Sequence, residues 1–381
     1  MAKTKKAVTS SSVPSTAAKE YNPYLDVLKG FTILLVVMGH SLQSFVANGA
    51  FDENIFFRVI YSFHMPLFMF LAGAAATYSF RPMNWEFLQR KFYMLVVPFI
   101  AWYILGYALF DTYHTIAFKT YIHRVILSPD YGLWFLWILF LNFCALVLIK
   151  KLEKWFKLYS YLIVWLLVYA LPTGKYGIGL MKWHLPFFLI GYLIFTYRNS
   201  LSRFRTPVLT ACLVTAPFLM LTWHRLHYPT YITSIQPRLI GHGLQTITLG
   251  DIAGINTYSL VTLIYSYLVP LSAIGLIYWI LQLKPSRYFY NLLGFFGLYT
   301  LDIYALNLLL MRYNKGHGWV QIVSGFVIAT SLSLAIGIFV LRRVPLLSFL
   351  FLGGRTKPTA LTLEKKPRVT FLQQVRAKLT R

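Results

Sequence analysis

Two ionisable side chains, Lys29 and His40, lie in the first apolar segment that is long enough to cross a membrane. They are eleven residues apart, so on an α-helix they share one face and lie about 16 Å apart along the axis. Ionisable groups are costly in hydrocarbon, and they usually face a cavity, a partner or a substrate path. An imidazole can take up and return a proton, and an ammonium can bind an anionic group. The pair therefore predicts a reactive wall inside a bundle of helices rather than a simple anchor.

Two further histidines each precede a proline by two residues, His64 before Pro66 and His184 before Pro186. A proline within a helix frees a backbone carbonyl and tends to kink the helix, so His64 and Pro66 predict a polar notch in the bundle, and His184 and Pro186 repeat the arrangement. Taken alone, His64 is more often a structural residue bonded to a backbone carbonyl, because most buried polar groups are simply satisfied. Lys182, near the start of the segment that contains His184, could extend to the interface without any function.

Two acidic residues, Asp26 and Asp302, lie in apolar segments and need a partner. Asp26 is fourteen residues before His40, or about four helical turns. It is therefore expected to pair with Lys29 or to cap the start of the helix. Asp302 is the better predicted partner for His40 or His64, reaching them from another helix.

Trp134 and the two cysteines mostly favour structural interpretations. Trp134 opens an apolar segment, where tryptophan is commonly part of the aromatic belt at a membrane interface. A wall for a sugar or an acyl chain is the functional alternative. Cys144 and Cys212 lie inside apolar runs and show neither a disulfide framework nor a metal-ligand spacing, so no metal site is predicted.

Composition places these residues in a membrane protein. The 381 residues are 57% hydrophobic and only 12% charged, and the mean hydropathy is +0.59, whereas a soluble domain carries about 25% charged residues. The apolar runs, such as Ile33–Val37 and Leu260–Ile264, do not alternate as the strands of a β-barrel would. The sequence therefore predicts an all-α polytopic membrane bundle.

The positive charges lie between the apolar segments, and most of the 36 Lys and Arg residues fall in the two ends of the chain and in alternate loops. This pattern predicts that both termini are cytosolic. The net charge of +25 is attributed to topology and to anionic lipid, and no nucleic acid is expected as a partner. Ten spans are predicted, at about 25–45, 57–79, 92–113, 131–149, 155–171, 178–197, 207–223, 256–281, 288–311 and 320–341.

The remaining segments flank or interrupt this bundle. Residues 1–22 predict a disordered basic cytosolic tail, and 23–343 a single membrane domain. Residues 344–381 predict a second basic cytosolic tail that contains an amphipathic segment lying on the membrane surface. The long loop 224–255 is predicted either to take part in function or to cover the bundle, and the two interpretations are equally favoured.

Two blocks of sequence resemble the membrane acyltransferase-3 family, in its branch of sugar O-acetylases related to fucose 4-O-acetylase. They are LDVLKG at 25–30 with His40, and FHMPLF at 63–68 with Ala72–Gly73. Members carry a basic residue, ten intervening residues and a histidine in the first span, and Lys29 and His40 match this spacing. The later runs LWFL at 133–136 and FLIG at 188–191 are weaker landmarks.

The resemblance covers most of 23–311 and includes three departures. Lys29 stands where many members have arginine, so a point charge replaces a fork that could bind a phosphate with two hydrogen bonds. In the ninth span, members often have a serine and, seven residues later, a histidine. Thr300 and Asn307 stand in those places here.

The resemblance implies transfer of an acyl group, usually acetyl from acetyl-CoA, to a hydroxyl of a glycan. It implies no bound cofactor, since acetyl-CoA is a donor substrate. The expected partners are acyl-CoA, a glycan or lipid-linked sugar acceptor, and membrane lipids, and the expected location is the bacterial inner membrane. His40 would act as general base, and an acyl-histidine intermediate is a variant that the sequence leaves open.

The resemblance also suggests where the donor would lie. The phosphates of coenzyme A would sit near Lys29 with the cytosolic cations Arg90, Lys91 and Arg198, and the thioester would reach towards His40. Trp134 would contact the acceptor.

A multi-span transporter is the rival interpretation, because buried ionisable groups and helix-breaking prolines also occur in secondary carriers. A scaffold is a third interpretation, but it does not explain why Lys29 and His40 share one face.

Overall fold

The computed structural model describes residues 22–354 except 80–81, 110–116, 128, 130–132, 173–174, 225–256, 284–285 and 313–315. Within these residues the chain is helical and contains no strand, as the composition predicts. The α-helices are α1 (Tyr24–Phe45), α2 (Ile55–Tyr61), α3 (His64–Ala76), α4 (Trp85–Lys91), α5 (Val97–Leu109), α6 (Phe118–Leu127), α7 (Trp134–Phe156), α8 (Tyr159–Ala170), α9 (Ile178–Thr196), α10 (Ser202–Thr222), α11 (Thr257–Gln282), α12 (Arg287–Leu298), α13 (Thr300–Met311), α14 (Trp319–Ile336) and α15 (Pro345–Leu352). A 3₁₀-helix spans Ala47–Glu53, and π-helical turns span Phe92–Val96 and Gly337–Leu341.

Eight segments of the described residues are long and apolar enough to cross a membrane. They are Tyr24–Phe45, Ile55–Ala76, Trp85–Leu109, Trp134–Phe156, Ile178–Thr196, Ser202–Thr222, Leu263–Gln282 and Trp319–Leu341. Each coincides with a predicted span. The two other predicted spans also correspond to helices, but neither is a single straight crossing.

One of these exceptions is α8. The fifth predicted span, 155–171, is short in the sequence, and α8 within it contains only 12 residues. Such a helix is about 18 Å long, short of the roughly 30 Å of a hydrocarbon core.

The ninth predicted span, 288–311, is not continuous. It is divided at Tyr299 into α12 and α13, whose axes differ by 76°. Thr300 donates a hydrogen bond from its hydroxyl to the carbonyl of Gly297 at 2.7 Å, which satisfies a group that the break releases. The prediction of one straight helix is therefore corrected to a helix broken near its middle.

Helix ends in this fold follow local chemistry. Asn54 caps α2 by accepting hydrogen bonds from the backbone of Phe56 and Phe57 at 2.9 and 3.3 Å. The segment that contains α2 and α3 is interrupted at Ser62 and Phe63, three residues before Pro66. The interruption lies one turn before the proline, and it places Pro66 in the first turn of α3, where its missing N–H costs little.

Glycines allow two helix pairs to approach at backbone distance. A Cβ atom on Gly30 of α1 would lie 1.7 Å from the carbonyl oxygen of Leu293, and one on Gly297 of α12 would lie 1.9 Å from that of Asp26. In the same way, Gly73 of α3 lies against α9, and Gly191 of α9 lies against α3. Close backbone approach of this kind is how helices associate in a membrane. These contacts fix the two helices that carry the first two sequence blocks.

The segments predicted to flank the bundle are only partly described. Residues 1–21, 225–256 and the amphipathic segment proposed within 355–381 lie outside the described residues. The first residues of the predicted C-terminal tail form α15, which packs on α5. There the Trp102 indole N–H donates to the Phe351 carbonyl at 3.0 Å. The bundle therefore includes α15.

Candidate active site

His40 lies on the last third of α1, and its ring faces α13. Its Nδ1 is 2.8 Å from Oδ1 of Asn307. The Asn307 amide nitrogen donates to the carbonyls of Ile303 and Tyr304 at 2.9 and 2.8 Å. These two bonds orient the amide so that its oxygen points towards His40.

This arrangement determines which nitrogen of His40 carries the proton. An amide oxygen only accepts hydrogen bonds, so Nδ1 of His40 must be the protonated nitrogen and Nε2 bears the lone pair. Within the described residues, Nε2 makes no hydrogen bond. The side chain is only partly buried. His40 therefore has the orientation and the tautomer of a general base.

His64 and His184 extend the polar region around His40. Their Nδ1 atoms each donate to the carbonyl four residues earlier, that of Ile60 and that of Leu180, both at 2.8 Å. His64 is 3% exposed and His184 is fully buried. His64 also lies within electrostatic range of both other imidazoles.

The structural interpretation of His64, a backbone-bonded histidine, is confirmed. The same bond also fixes the tautomer of His64 and His184, because a carbonyl only accepts and Nδ1 must then be protonated. In both rings the lone pair is on Nε2.

Trp134, the first residue of α7, adds an aromatic wall to this region. The centroid of its ring is 5.0 Å from that of His184, and its side chain is partly exposed. Its neighbour Phe135 donates its backbone N–H to the hydroxyl of Tyr304 on α13 at 3.4 Å. Trp134 therefore packs against the buried His184 rather than only among interfacial aromatics.

Asp302 does not contact a histidine, so the predicted partnership with His40 or His64 is wrong. Its two carboxylate oxygens instead accept from Nε and Nη2 of Arg342 at 2.9 and 2.7 Å. Asp302 and Asn307 are five residues apart on α13, which places their side chains on different faces of the helix. Asp302 consequently faces the end of α14, whereas Asn307 faces α1.

Lys29 and Asp26 form an ion pair on α1. The Lys29 ammonium is 2.8 Å from Oδ1 of Asp26, and the side chains are 27% and 2% exposed respectively. This confirms the expected pairing of Asp26 with Lys29. The second carboxylate oxygen of Asp26 is buried and has no hydrogen-bond partner among the described residues.

The other predicted donor-binding cations are arranged differently. Arg90 and Arg198 are exposed, and within the described residues neither forms a hydrogen bond or ion pair. Lys91 is directed over the ring of Phe143, with its ammonium 4.2 Å from the centroid. The structure thus ties neither Arg90 nor Arg198 to Lys29.

Lys182 does not extend to the interface. It is 1% exposed, and its ammonium donates to the carbonyl of Leu171, just after the end of α8. A cation at a helix C-terminus satisfies a terminal carbonyl and complements the helix dipole. Lys182 therefore links α9 to α8.

Two residues of this network, Asn307 and Arg342, were missed by the sequence interpretation. Asn307 was noted only as a departure from a histidine at that place. Its amide can nevertheless serve an orienting role, because it offers an acceptor oxygen and a donor group on one short side chain. Arg342 sits at the predicted end of a span, where a cation ordinarily signals topology.

The chain matches the family model described as the acyltransferase domain (acyltransferase-3) over residues 22–342. The match includes every residue of the site described above. The chain belongs to this acyltransferase family.

Curated relatives of this acyltransferase-3 chain are nodulation proteins. Nodulation protein NolL of Sinorhizobium fredii (strain NBRC 101917 / NGR234) is 27% identical over 230 residues, which cover 56% of this chain and 61% of the relative. Nodulation protein NolL of Mesorhizobium japonicum (strain LMG 29417 / CECT 9101 / MAFF 303099) is 29% identical over 180 residues, which cover 44% of this chain and 46% of the relative. The matches thus span about half to three-fifths of the relatives' length. No solved structure matches the chain.

Family membership and the long apolar helices together make this acyltransferase-3 chain a membrane-embedded protein. The family match also confirms the resemblance seen in the first two sequence blocks. From those blocks, His40 and His64 lie in the candidate site, whereas Lys29 and Asp26 pair at the other end of α1.

Proposed function

We propose that the protein is a membrane O-acyltransferase that moves an acyl group, acetyl in the first instance, from acyl-CoA to a hydroxyl of a glycan or a lipid-linked sugar. The observation that carries this proposal is the contact between His40 Nδ1 and Asn307 Oδ1. It prepares a basic nitrogen on a partly accessible imidazole inside an apolar bundle. Membership of the acyltransferase family supports the reaction class.

The proposed step begins with His40. Nε2 takes the proton of the acceptor hydroxyl while the hydroxyl oxygen attacks the carbonyl carbon of the thioester. The tetrahedral intermediate then collapses, the carbon–sulfur bond breaks, and the thiolate takes the proton from the imidazolium. An O-acyl bond replaces an S-acyl bond, and the proton passes from hydroxyl to thiol, so the step balances without another reactant.

Asn307 supports this step whether the His40 ring is neutral or protonated. Its oxygen accepts the Nδ1 proton of neutral His40, and the same hydrogen bond becomes stronger when the ring is protonated. The variant in which Nε2 attacks the thioester first and forms an acyl-histidine uses the same tautomer. Both routes therefore depend on the same contact.

The donor is proposed to extend along α1. Coenzyme A carries phosphates at one end and the thioester at the other, and Lys29 lies about 16 Å from His40 along the helix. The Lys29 ammonium is partly exposed, which suits it to bind a phosphate. The proposal places the inner bilayer leaflet of a bacterial cell at this end, as the charge pattern predicts.

The acceptor is proposed to bind beside Trp134. An aromatic face packs well against the apolar side of a sugar ring. The Trp134 ring is partly exposed and packs on its other side against the buried ring of His184, with the two centroids 5.0 Å apart. The glycan class itself comes from the resemblance to sugar O-acetylases.

The test compares wild-type protein with His40→Ala, each purified from membranes and supplied with acetyl-CoA and a glycan extract of the host. The proposal expects acceptor-dependent release of free CoA by the wild type, and a loss of about 10²-fold to 10⁴-fold with the variant. Mass spectrometry of glycans from cells with and without the gene would identify the group and the acceptor. His123→Ala is the matched control, because His123 is exposed on α6. Equal CoA release by wild type and His40→Ala would exclude the assignment of His40.

A transporter is the second candidate, and the break between α12 and α13 favours it. Discontinuous helices that present polar groups near mid-membrane are common in secondary carriers. The same assay distinguishes the two functions, because a carrier would move solute without releasing CoA.

A further inference from the structure

Asp302 and Arg342 form a buried ion pair that the proposed reaction does not use directly. Two parallel hydrogen bonds of 2.9 and 2.7 Å join the guanidinium to the carboxylate. The side chain of Arg342 is 6% exposed and that of Asp302 is 0% exposed. Two-pronged contacts of this kind are directional as well as strong, because both planar groups must be coplanar.

The surrounding backbone is shaped around this pair. A Cβ atom on Gly337 would lie 2.5 Å from Oδ1 of Asp302, so only glycine leaves room for the carboxylate. The π-helical turn Gly337–Leu341 ends with the Arg342 N–H donating to the Gly337 carbonyl at 3.0 Å. The guanidinium also lies 4.9 Å from the centroid of the Tyr299 ring. A glycine, a π-turn and an aromatic face therefore all accommodate one ion pair.

The pair completes a triangle of polar contacts between three helices. His40 and Asn307 join α1 to α13. The Ser41 hydroxyl joins α1 to α14 by donating to the Ile322 carbonyl at 2.6 Å. The third side, from α13 to the end of α14, is the Asp302–Arg342 pair.

The position of α13 depends on its packing against α1 and α14 and on these polar contacts. The break at Tyr299 separates α13 from α12 by 76°, so the packing of α12 on α1 does not by itself fix the direction of α13. Asp302 and Asn307 lie on the same 12-residue helix, which moves as a unit. Holding Asp302 consequently sets where the Asn307 amide meets His40.

We infer that Arg342, through its ion pair with Asp302, is a positioning residue that holds α13 so that Asn307 orients the imidazole of His40. The inference rests on the proposed function of His40 as the base. Arg342 contacts neither His40 nor Asn307 in the hydrogen-bond network, so it acts through the helix.

If the pair only stabilised the fold, its loss would lower the amount of folded protein rather than kcat, so the variants must separate the two effects. Removing one partner leaves a buried charge without its counter-ion, which is strongly destabilising. Arg342→Lys keeps the charge but loses the second hydrogen bond, so it loosens the contact without leaving Asp302 unpaired. The double variant Asp302→Leu with Arg342→Met removes both charges and tests folding separately.

The experiment is a double-mutant cycle of Arg342→Lys with Asn307→Ala. In the wild-type background, Arg342→Lys is expected to lower kcat about tenfold or more, because a displacement of about 1 Å at a reacting group can cost about 10²-fold. The KM values for donor and acceptor should change little. In the Asn307→Ala background the same substitution should cost less than twofold, since the orienting contact is already absent. Arg343→Lys is the matched control, because Arg343 is the next residue and is exposed.

A second readout needs no turnover. Diethylpyrocarbonate modifies unprotonated imidazole, and mass spectrometry can follow the rate at His40. Arg342→Lys is expected to raise this rate at least threefold in the wild-type background and to leave it unchanged in the Asn307→Ala background. The double variant Asp302→Leu with Arg342→Met should accumulate in membranes at the wild-type level while its kcat remains low.

Two results would overturn the inference while leaving the proposed function intact. One is an equal loss of kcat for Arg342→Lys in both backgrounds, and the other is full activity of the double apolar variant. A wild-type protein that transfers no acyl group would contradict the proposed function instead. In that case the rate of His40 modification still decides whether Arg342 positions the ring.

Discussion

The two ends of α1 carry its two ionisable site residues in very different surroundings. Around His40, side chains from α1, α3, α9 and α13 converge, and each of three imidazoles has one nitrogen committed to an acceptor at 2.8 Å. Around Lys29 the structure shows one ion pair with a residue of the same helix, and the lysine side chain is 27% exposed. We refer to these as the histidine end and the lysine end.

The difference suggests that the histidine end is organised in advance, whereas the lysine end can exchange partners. Chemistry depends on groups held in a reactive geometry by their neighbours. A binding cation, by contrast, must leave one anion to take another. Ile33 and Val36 lie on the same face of α1 between the two ends, and both are fully buried. The two ends are thus separate sites on one helix, divided by an apolar layer that an acyl-CoA arm would have to cross.

Among the residues around His40 and Lys29, the largest effect after that of His40→Ala is expected at the orienting contact of the histidine end. Asn307→Ala should lower kcat about tenfold to a hundredfold with little change in KM, because His40 loses the acceptor that holds its ring. Asn307→Asp keeps an acceptor oxygen on the side chain but loses the two N–H bonds to the carbonyls of Ile303 and Tyr304, so its activity should fall between those of the wild type and Asn307→Ala. Steady-state acyl transfer by purified protein measures both. Equal activity of the two variants would show that the histidine end is not organised through Asn307.

The lysine end should respond in KM rather than in kcat. Lys29→Ala is expected to raise the KM for acyl-CoA about tenfold, the loss of a contact to a charged group worth about 1.5 kcal/mol. Lys29→Arg should keep the KM for acyl-CoA close to that of the wild type, since a guanidinium also binds phosphate. Titration of the donor at saturating acceptor provides the measurement. An unchanged KM for Lys29→Ala would favour a role in topology alone.

A smaller effect is expected for the aromatic wall of the histidine end. Trp134→Ala should raise the KM for the acceptor about threefold to tenfold, in line with an aromatic contact worth about 0.5–1.5 kcal/mol. Trp134→Phe keeps an aromatic face and serves as the matched control. If the KM of the donor rises instead, Trp134 lines the path of the acyl chain rather than the sugar.

The smallest effects are expected for the exposed cations. Arg90→Ala and Arg198→Ala should each change the KM for acyl-CoA less than about twofold, because isolated exposed charges contribute little in water and are screened by salt. A large rise for either variant, weakening as salt is added, would mean that the lysine end extends further than the contacts of Lys29. That result would also restore the wider donor site that the sequence suggested.

Much of the fold could be predicted from the sequence because local properties decide it. The length of apolar runs determines where helices can cross the bilayer, and eight of the ten predicted spans coincide with helices of the described residues that are long and apolar enough to cross it. The two exceptions have local causes that hydropathy does not register. The helix α8 is short, with 12 residues. The break at Tyr299 leaves apolar residues on both of its sides, so the hydropathy of the segment does not change there.

Half of the candidate site could be predicted from the sequence in the same way. The shared face of Lys29 and His40 follows from helical periodicity, and Pro66 indicates a break in the helix near the start of α3. The pairing of Asp26 with Lys29 is a contact between residues three apart on one helix. Such contacts need no knowledge of any other part of the molecule.

The sequence by itself determined the class of protein, the positions of most helices and the two residues of α1 that face the same way. Only the tertiary structure decided which residues meet across helices. His40 and its partner Asn307 are 267 residues apart, and Asp302 and Arg342 are 40 apart. These contacts depend on how each helix is rotated, bent and pressed against its neighbours. Hydrophobic periodicity leaves those quantities open, because many rotations of an apolar helix bury nearly the same surface in a membrane.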